Sequence, residues 1–116
     1  MRVLRSFACA FNGILHMVRS ERNAKIHLVA GLGVIAAGVH CNVSSTEWIM
    51  LIVVMGNVLA AEAFNTSIEI LCDKISPGHD KRIGLVKDIA AGGVLLTAIA
   101  AAAAGLVVFL PKMLAG

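Results

Sequence analysis

Four polar side chains that could bind a cation or move a proton recur at helical spacing in an apolar part of the chain: Glu62, Asn65, Glu69 and Asp73. Their offsets of three, four and four residues place all four on one face of a helix. Carboxylates at membrane depth cost free energy, so their default interpretation is a functional site. The spacing therefore predicts a helix face with a metal-binding or proton-handling role.

The composition indicates a membrane protein that must position this face. The chain has 116 residues, of which 59% are hydrophobic and 15% charged, and its mean hydropathy of +0.88 is high for a soluble domain. Long stretches carry no Lys, Arg, Asp or Glu: residues 26–46, 48–61 and 89–111. They predict an all-α membrane protein, one domain over residues 1–116, with three transmembrane helices at about residues 26–43, 47–71 and 86–110.

Basic residues indicate the orientation of these spans. They precede the first span, or lie between the second and the third, at nine positions: Arg2, Arg5, Arg19, Arg22, Lys25, Lys74, Lys81, Arg82 and Lys87. Residues 40–47 contain no Lys or Arg. The positive-inside rule therefore places the N-terminus and the second loop in the cytoplasm. The pI of about 9.0 reflects this anchoring charge and indicates no nucleic-acid partner.

The segment before the first span is predicted to be an amphipathic helix on the membrane surface, at about residues 2–20. Its apolar residues recur at helical spacing, with basic and polar residues mostly between them: Val3, Leu4, Phe7, Phe11, Ile14, Leu15 and Val18. A signal peptide is the competing interpretation. Asn12 and His16 would interrupt its apolar core, and a basic cluster follows where a cleavage site should stand.

Cysteine and histidine residues are scattered along the chain: Cys9, Cys41, Cys72, His16, His27, His40 and His79. Their spacing predicts no disulfide within the chain and no cysteine-based metal site. Each histidine is more typical of a membrane interface or a surface than of a ligand.

Charged groups also stand at the cytoplasmic ends of the first and third spans, in Glu21-Arg22-Asn23 and Lys87-Asp88. Phosphoryl transfer needs a cation, carboxylates that hold magnesium and a base for the hydroxyl proton. Because magnesium often takes only one or two carboxylates plus phosphate oxygens, Glu21 and Glu69 would suffice. Glu62 lies about 10 Å deeper along the helix than Glu69, at a depth suited to a lipid headgroup. A proton or ion pathway, or polar contacts between helices, are the alternatives.

Several stretches together resemble the bacterial integral-membrane diacylglycerol kinase and undecaprenol kinase family. They are Ser6-Phe7, residues 10–13, residues 21–27, residues 62–73 and residues 86–95, and the resemblance covers nearly the whole chain. It implies a homotrimer of three-span subunits in the bacterial inner membrane, with active sites shared between neighbours on the cytoplasmic side. The implied reaction moves the γ-phosphate of ATP to a membrane lipid alcohol, with Mg²⁺ as cofactor.

The resemblance also implies roles for individual residues. Glu62 matches the general base, with Asn65 beside the reacting centre and Asp73 as a supporting polar group. The matched metal ligands are Glu21 and Glu69. ATP contacts are implied for these two glutamates and for Arg2, Cys9, Gly78, His79, Asp80, Lys87 and Asp88, and lipid contacts for Arg2, Glu62 and Ala91. Cys9 and Ala24 depart from the Tyr and Phe that are common in the family.

Two pairs of alternatives follow from these patterns. The Lys87-Asp88 pair and Glu21 on another helix favour an enzyme over a non-catalytic proton-conducting or assembly subunit. The amino-acid sequence of residues 21–27 resembles the undecaprenol-using branch of the family, so undecaprenol is favoured over diacylglycerol as the acceptor. We also expect neighbouring subunits to shield Glu62 and Glu69, because three spans are too few to screen both from lipid.

Overall fold

The computed structural model describes residues 1–115, which form four α-helices and no strand. Gly116, the last residue of the expected domain, lies outside the described residues. The helices are α1 (Arg2–Ser20), α2 (Arg22–Cys41), α3 (Ser45–Ile75) and α4 (Lys81–Ala115). Of these, α2, α3 and α4 are long and apolar enough to cross a membrane. The predicted class, an all-α protein with an N-terminal helix and three membrane spans, is confirmed.

Helix α1 is amphipathic and touches the rest of the chain mainly near its C-terminal end. Its one buried residue is Met17, whereas Phe7 and Phe11 are largely exposed. Glu21 has extended backbone angles, φ −104° and ψ 122°, and so separates α1 from α2. This break allows α1 to leave the direction of the spans, as a surface helix requires.

The connection between α2 and α3 is short because its residues suit helix ends. Asn42 takes the left-handed conformation, with φ 53°, and ends α2 two residues before the predicted end of the first span. Ser44 and Glu47 then form a capping box, in which the Glu47 N–H donates to Ser44 Oγ at 3.2 Å and the Ser44 N–H donates to Glu47 Oε1 at 2.9 Å. The two spans therefore form a tight antiparallel pair.

A small apolar core lies at this end of the bundle, where Val43 of the α2–α3 connection packs with Leu51 of α3 and Val108 of α4. The Nζ atom of Lys112 lies 3.2 Å from Oε1 of Glu47, which adds an ion pair between α4 and α3. An apolar core and one ion pair thus hold the helices together near the α2–α3 connection. The positive-inside rule predicts that this end of the bundle faces away from the cytoplasm.

Residues 76–80 form the loop between α3 and α4, as the Pro-Gly pair within it predicts. Asp80 caps α4, because its Oδ1 accepts hydrogen bonds from the N–H groups of Arg82 at 2.8 Å and Ile83 at 3.2 Å. Helices α3 and α4 make the most extensive helix pair, and α3 also contacts α1 and α2. The helix that carries the acidic face is therefore the centre of the bundle.

Candidate active site

The acidic face of α3 changes from buried to exposed along the helix. Glu62 is 1% exposed, Asn65 is 7% exposed, Glu69 is half-buried and Asp73 is exposed. The expectation that one chain cannot shield Glu62 is therefore wrong, because α2 and α4 already cover this side chain. Burial without a neighbouring subunit shows that the deep carboxylate belongs to the interior of each chain.

Glu62 faces a histidine on α2. The Nδ1 atom of His27 lies 3.4 Å from Oε1 of Glu62, and neither atom has a hydrogen-bond partner within the described residues. The distance exceeds the usual 2.9–3.0 Å of an N–H···O hydrogen bond. The sequence pattern predicts an interfacial or surface histidine at this position; the His27 side chain is 24% exposed, and its Nδ1 atom faces Glu62. The available signal was the four-residue spacing of Asn23 and His27, which places both on one face of α2.

A cavity of about 230 Å³ holds these groups together at the junction of the three spans. Its polar lining comes from Asn23 and His27 on α2 and from Glu62 and Asn65 on α3. Helix α4 supplies the apolar wall, which consists of Ala91, Val94, Leu95 and Ala98. The structure therefore brings Ala91, an expected lipid contact, to the same cavity as Glu62.

A larger groove of about 410 Å³ adjoins this cavity, because both are lined by His27 and Ala98. Except for His27, its lining residues are apolar side chains and glycines of α2, α3 and α4, among them Leu32, Met55 and Ala101. An apolar chain in this groove would bring its polar end to Glu62. The arrangement suits a substrate with a hydroxyl headgroup and a long hydrocarbon tail.

The oxygen atoms around Glu62 fit a magnesium ion. The Nδ2 atom of Asn65 donates to Oε1 of Glu69 at 3.4 Å, and Oδ1 of Asn65 is buried without a partner among residues 1–115. Glu69 lies about two turns from Glu62 on the same face of α3, and Glu21 directly precedes α2, which carries Asn23 and His27. No cluster of three or more His, Cys, Asp or Glu occurs in the described part of the chain. A magnesium ion at this site would have few protein carboxylates as ligands and would need substrate phosphate oxygens as well, which this ion commonly uses.

The charged residues expected to contact the nucleotide do not line the cavity; Glu21, Glu69 and Lys87 are half-buried, and the others are exposed. Lys87 on α4 donates a hydrogen bond to Asp73 on α3, and Asp88 is exposed beside it. Exposure is also shared by the expected loop contacts Gly78, His79 and Asp80 and by the expected α1 contacts Arg2 and Cys9. The structure thus links Lys87 with Asp73, and it shows no contact between Arg2 or Cys9 and Glu62 in the described residues.

The fold and the site define an integral-membrane α-helical protein with a carboxylate centre open to an apolar groove. A model of the prokaryotic diacylglycerol kinase family matches residues 8–109. The undecaprenol kinase of Bacillus subtilis is 35% identical over 112 residues, which are 97% of this chain and 91% of that protein. The diacylglycerol kinase of Synechocystis sp. is 32% identical over 113 residues, 97% of this chain but 65% of that protein.

The chain belongs to the prokaryotic diacylglycerol kinase family. The lipid kinase function expected from the sequence is thereby confirmed, and the non-catalytic alternatives are not supported.

Proposed function

We propose that this protein transfers the γ-phosphate of ATP to the hydroxyl group of undecaprenol, with magnesium as cofactor. The observation that carries the proposal is Glu62, a buried carboxylate with an unpartnered oxygen atom, placed where the polar cavity meets the apolar groove. A lipid whose hydrocarbon chain lay in the apolar groove would have its hydroxyl group next to the Glu62 carboxylate, which could act as a base. A base at this position would assist phosphorylation of a membrane alcohol by accepting the hydroxyl proton.

Undecaprenol is the proposed acceptor because the Bacillus subtilis relative, 91% of whose length matches this chain, is named an undecaprenol kinase. The relative named a diacylglycerol kinase is longer, and this chain spans 65% of it. The amino-acid sequence of residues 21–27, which resembles the undecaprenol-using branch, favours the same acceptor. Diacylglycerol is the alternative, and it would use the same base and the same groove.

The side chains divide the reaction between them. Glu62 would accept the hydroxyl proton as the lipid oxygen attacks the γ-phosphorus, and Asn65 would hold Glu69 through the hydrogen bond between them. Glu21 and Glu69 would hold Mg²⁺, which supplies charge neutralisation to the phosphate oxygens. Lys87, oriented by Asp73, would offset phosphate charge at the cytoplasmic mouth.

The remaining nucleotide contacts are proposed at the same end of the bundle. Asp88 follows Lys87 on α4, and Gly78, His79 and Asp80 form the neighbouring loop. The basic residues support a cytoplasmic location for this end, where ATP is available, and we propose that α1 lies on the inner surface of the bacterial inner membrane. Residues 1–116 are proposed to act as one domain.

We also propose a homotrimer in which neighbouring chains share active sites. A third cavity lies between α1 and α3, and its lining on α1 begins at Ala10. Arg2 lies eight residues before Ala10, about 12 Å away along the helix axis. Arg2 therefore lies near the N-terminal end of α1, beyond the residues that line this cavity. A role for Arg2 in binding ATP or lipid is most easily met at the site of a neighbouring subunit.

A phosphorylation assay tests this function. Purified protein in detergent micelles is given labelled ATP, magnesium and either undecaprenol or diacylglycerol, and the phosphorylated lipids are separated. We expect undecaprenyl phosphate as the main product and almost none from Glu62→Gln, which keeps the shape of the side chain. Failure of the wild-type protein to phosphorylate either lipid would refute the proposal.

A further inference from the structure

His27 stands at the point where the polar cavity and the apolar groove meet. It lines both, and its side chain is 24% exposed, whereas the carboxylate beside it is 2% exposed. No other residue of α2 has a side chain within ion-pair distance of Glu62 in the described chain. The ring is therefore placed to act on the base from the side of α2.

The two facing atoms have no competing partners. His27 Nδ1 and Glu62 Oε1 are both buried, both lack a hydrogen bond within residues 1–115, and lie 3.4 Å apart. A neutral imidazole can carry its hydrogen on Nδ1, and it then donates from that atom. Hydrogen bonds of catalytic groups are often long before substrate binds and shorten in the reacting complex. A small movement of either side chain would bring His27 Nδ1 and Glu62 Oε1 within hydrogen-bond distance.

The base needs such a partner because its other polar neighbours do not supply one. Glu69, on the same face of α3, is a carboxylate of like charge, and the Asn65 amide nitrogen donates to Glu69 instead. An unsupported carboxylate among like charges would turn away from them or lose its fixed direction. His27 is the donor that could hold Glu62 toward the cavity.

We propose that His27 is a positioning residue for the reaction. Its Nδ1–H donates to Oε1 of Glu62, fixes the orientation of the carboxylate and leaves the second oxygen to receive the proton of the lipid hydroxyl. This role rests on the proposed lipid kinase function. It is distinct from a contact with the lipid itself, since it acts through Glu62.

Two substitutions separate positioning from packing. His27→Leu fills similar space without a donor, whereas His27→Asn places an amide N–H near the position of Nδ1. We expect His27→Leu to lower kcat roughly ten- to hundredfold, the worth of a hydrogen bond to a charged group, with the KM values for lipid and ATP little changed. His27→Asn should recover most of kcat. His40→Leu removes an exposed histidine from the other end of α2 and should behave as the wild type.

A spectroscopic measurement tests the contact without the reaction. The ¹⁵N resonance of His27 Nδ1, recorded in micelles, should differ between the wild type and Glu62→Gln, while that of His40 stays the same. Equal kcat values in the wild type and His27→Leu, equal losses in the Leu and Asn variants, or a loss confined to the lipid KM would each overturn the positioning role. A wild-type protein that phosphorylates no lipid would instead refute the proposed function, and the resonance would still report on the contact.

Discussion

Lys87 of α4 donates a hydrogen bond to Asp73 of α3, and this ion pair joins the two longest helices on either side of the loop 76–80. The Lys87 side chain is 36% exposed and that of Asp73 is 67% exposed. Exposed pairs of this kind contribute about 0–1 kcal/mol to folding. The pair therefore contributes little to stability, and its proposed role is to orient the Lys87 cation toward the nucleotide.

The first prediction concerns this pair. Asp73→Asn should raise the KM for ATP roughly two- to fivefold, because Lys87 loses a partner worth up to about 1 kcal/mol, and it should leave the thermal midpoint in micelles nearly unchanged. Lys87→Met should raise that KM further, since the cation itself is lost. Lys74→Met, which removes a neighbouring exposed lysine that forms no ion pair within residues 1–115, is the control. A normal KM for ATP in both Asp73→Asn and Lys87→Met would remove the pair from nucleotide binding.

The second prediction concerns the general base. Glu62→Gln should lower kcat by roughly two to four decades, because proton transfer by a placed base contributes about that factor. The side chain keeps its shape, so the fold and the binding of nucleotide should change little. Circular dichroism and ATP titration in micelles provide the controls. Turnover near that of the wild type would mean that another group takes the proton.

The third prediction concerns the metal. Glu69→Gln and Glu21→Gln should each raise the magnesium concentration needed for half-maximal activity, because each removes a charged oxygen ligand. The KM for the lipid should change less. Activity is measured over a magnesium titration at fixed ATP, with Glu47→Gln as a comparison at a carboxylate near the opposite end of α3. An unaltered magnesium requirement in both glutamate variants would contradict their role as ligands.

Features of the fold that depend on the residue pattern within a single helix could be predicted from the sequence. The charge-free stretches gave the three spans, and the offsets from Glu62 to Asp73 placed the acidic face on α3. The contact of His27 with Glu62 could not be predicted, because it depends on how α2 is rotated against α3. The burial of Glu62 within one chain also depends on packing, since Ala91 and Ala98 let α4 come close to the cavity.

The fourth prediction concerns the shared site. If Arg2 of one chain serves the Glu62 centre of a neighbour, weakly active Arg2→Ala and inactive Glu62→Gln proteins should complement each other when unfolded, mixed in equal amounts and reassembled. Random mixing would leave about one quarter of the sites with both wild-type residues. Each variant reassembled alone is the control, and cross-linking verifies the oligomers. Mixed oligomers with no activity above the mean of the two variants would place both residues in one chain.

The most direct test of the central claim is a competition between the two acceptors. Equal amounts of undecaprenol and diacylglycerol are presented in the same mixed micelles with labelled ATP, and the ratio of the early products gives the ratio of the two kcat/KM values. We predict that undecaprenyl phosphate exceeds phosphatidate by roughly tenfold or more, a difference within reach of contacts in an apolar groove. An excess of phosphatidate would contradict undecaprenol as the acceptor, while leaving the lipid kinase chemistry at Glu62 intact.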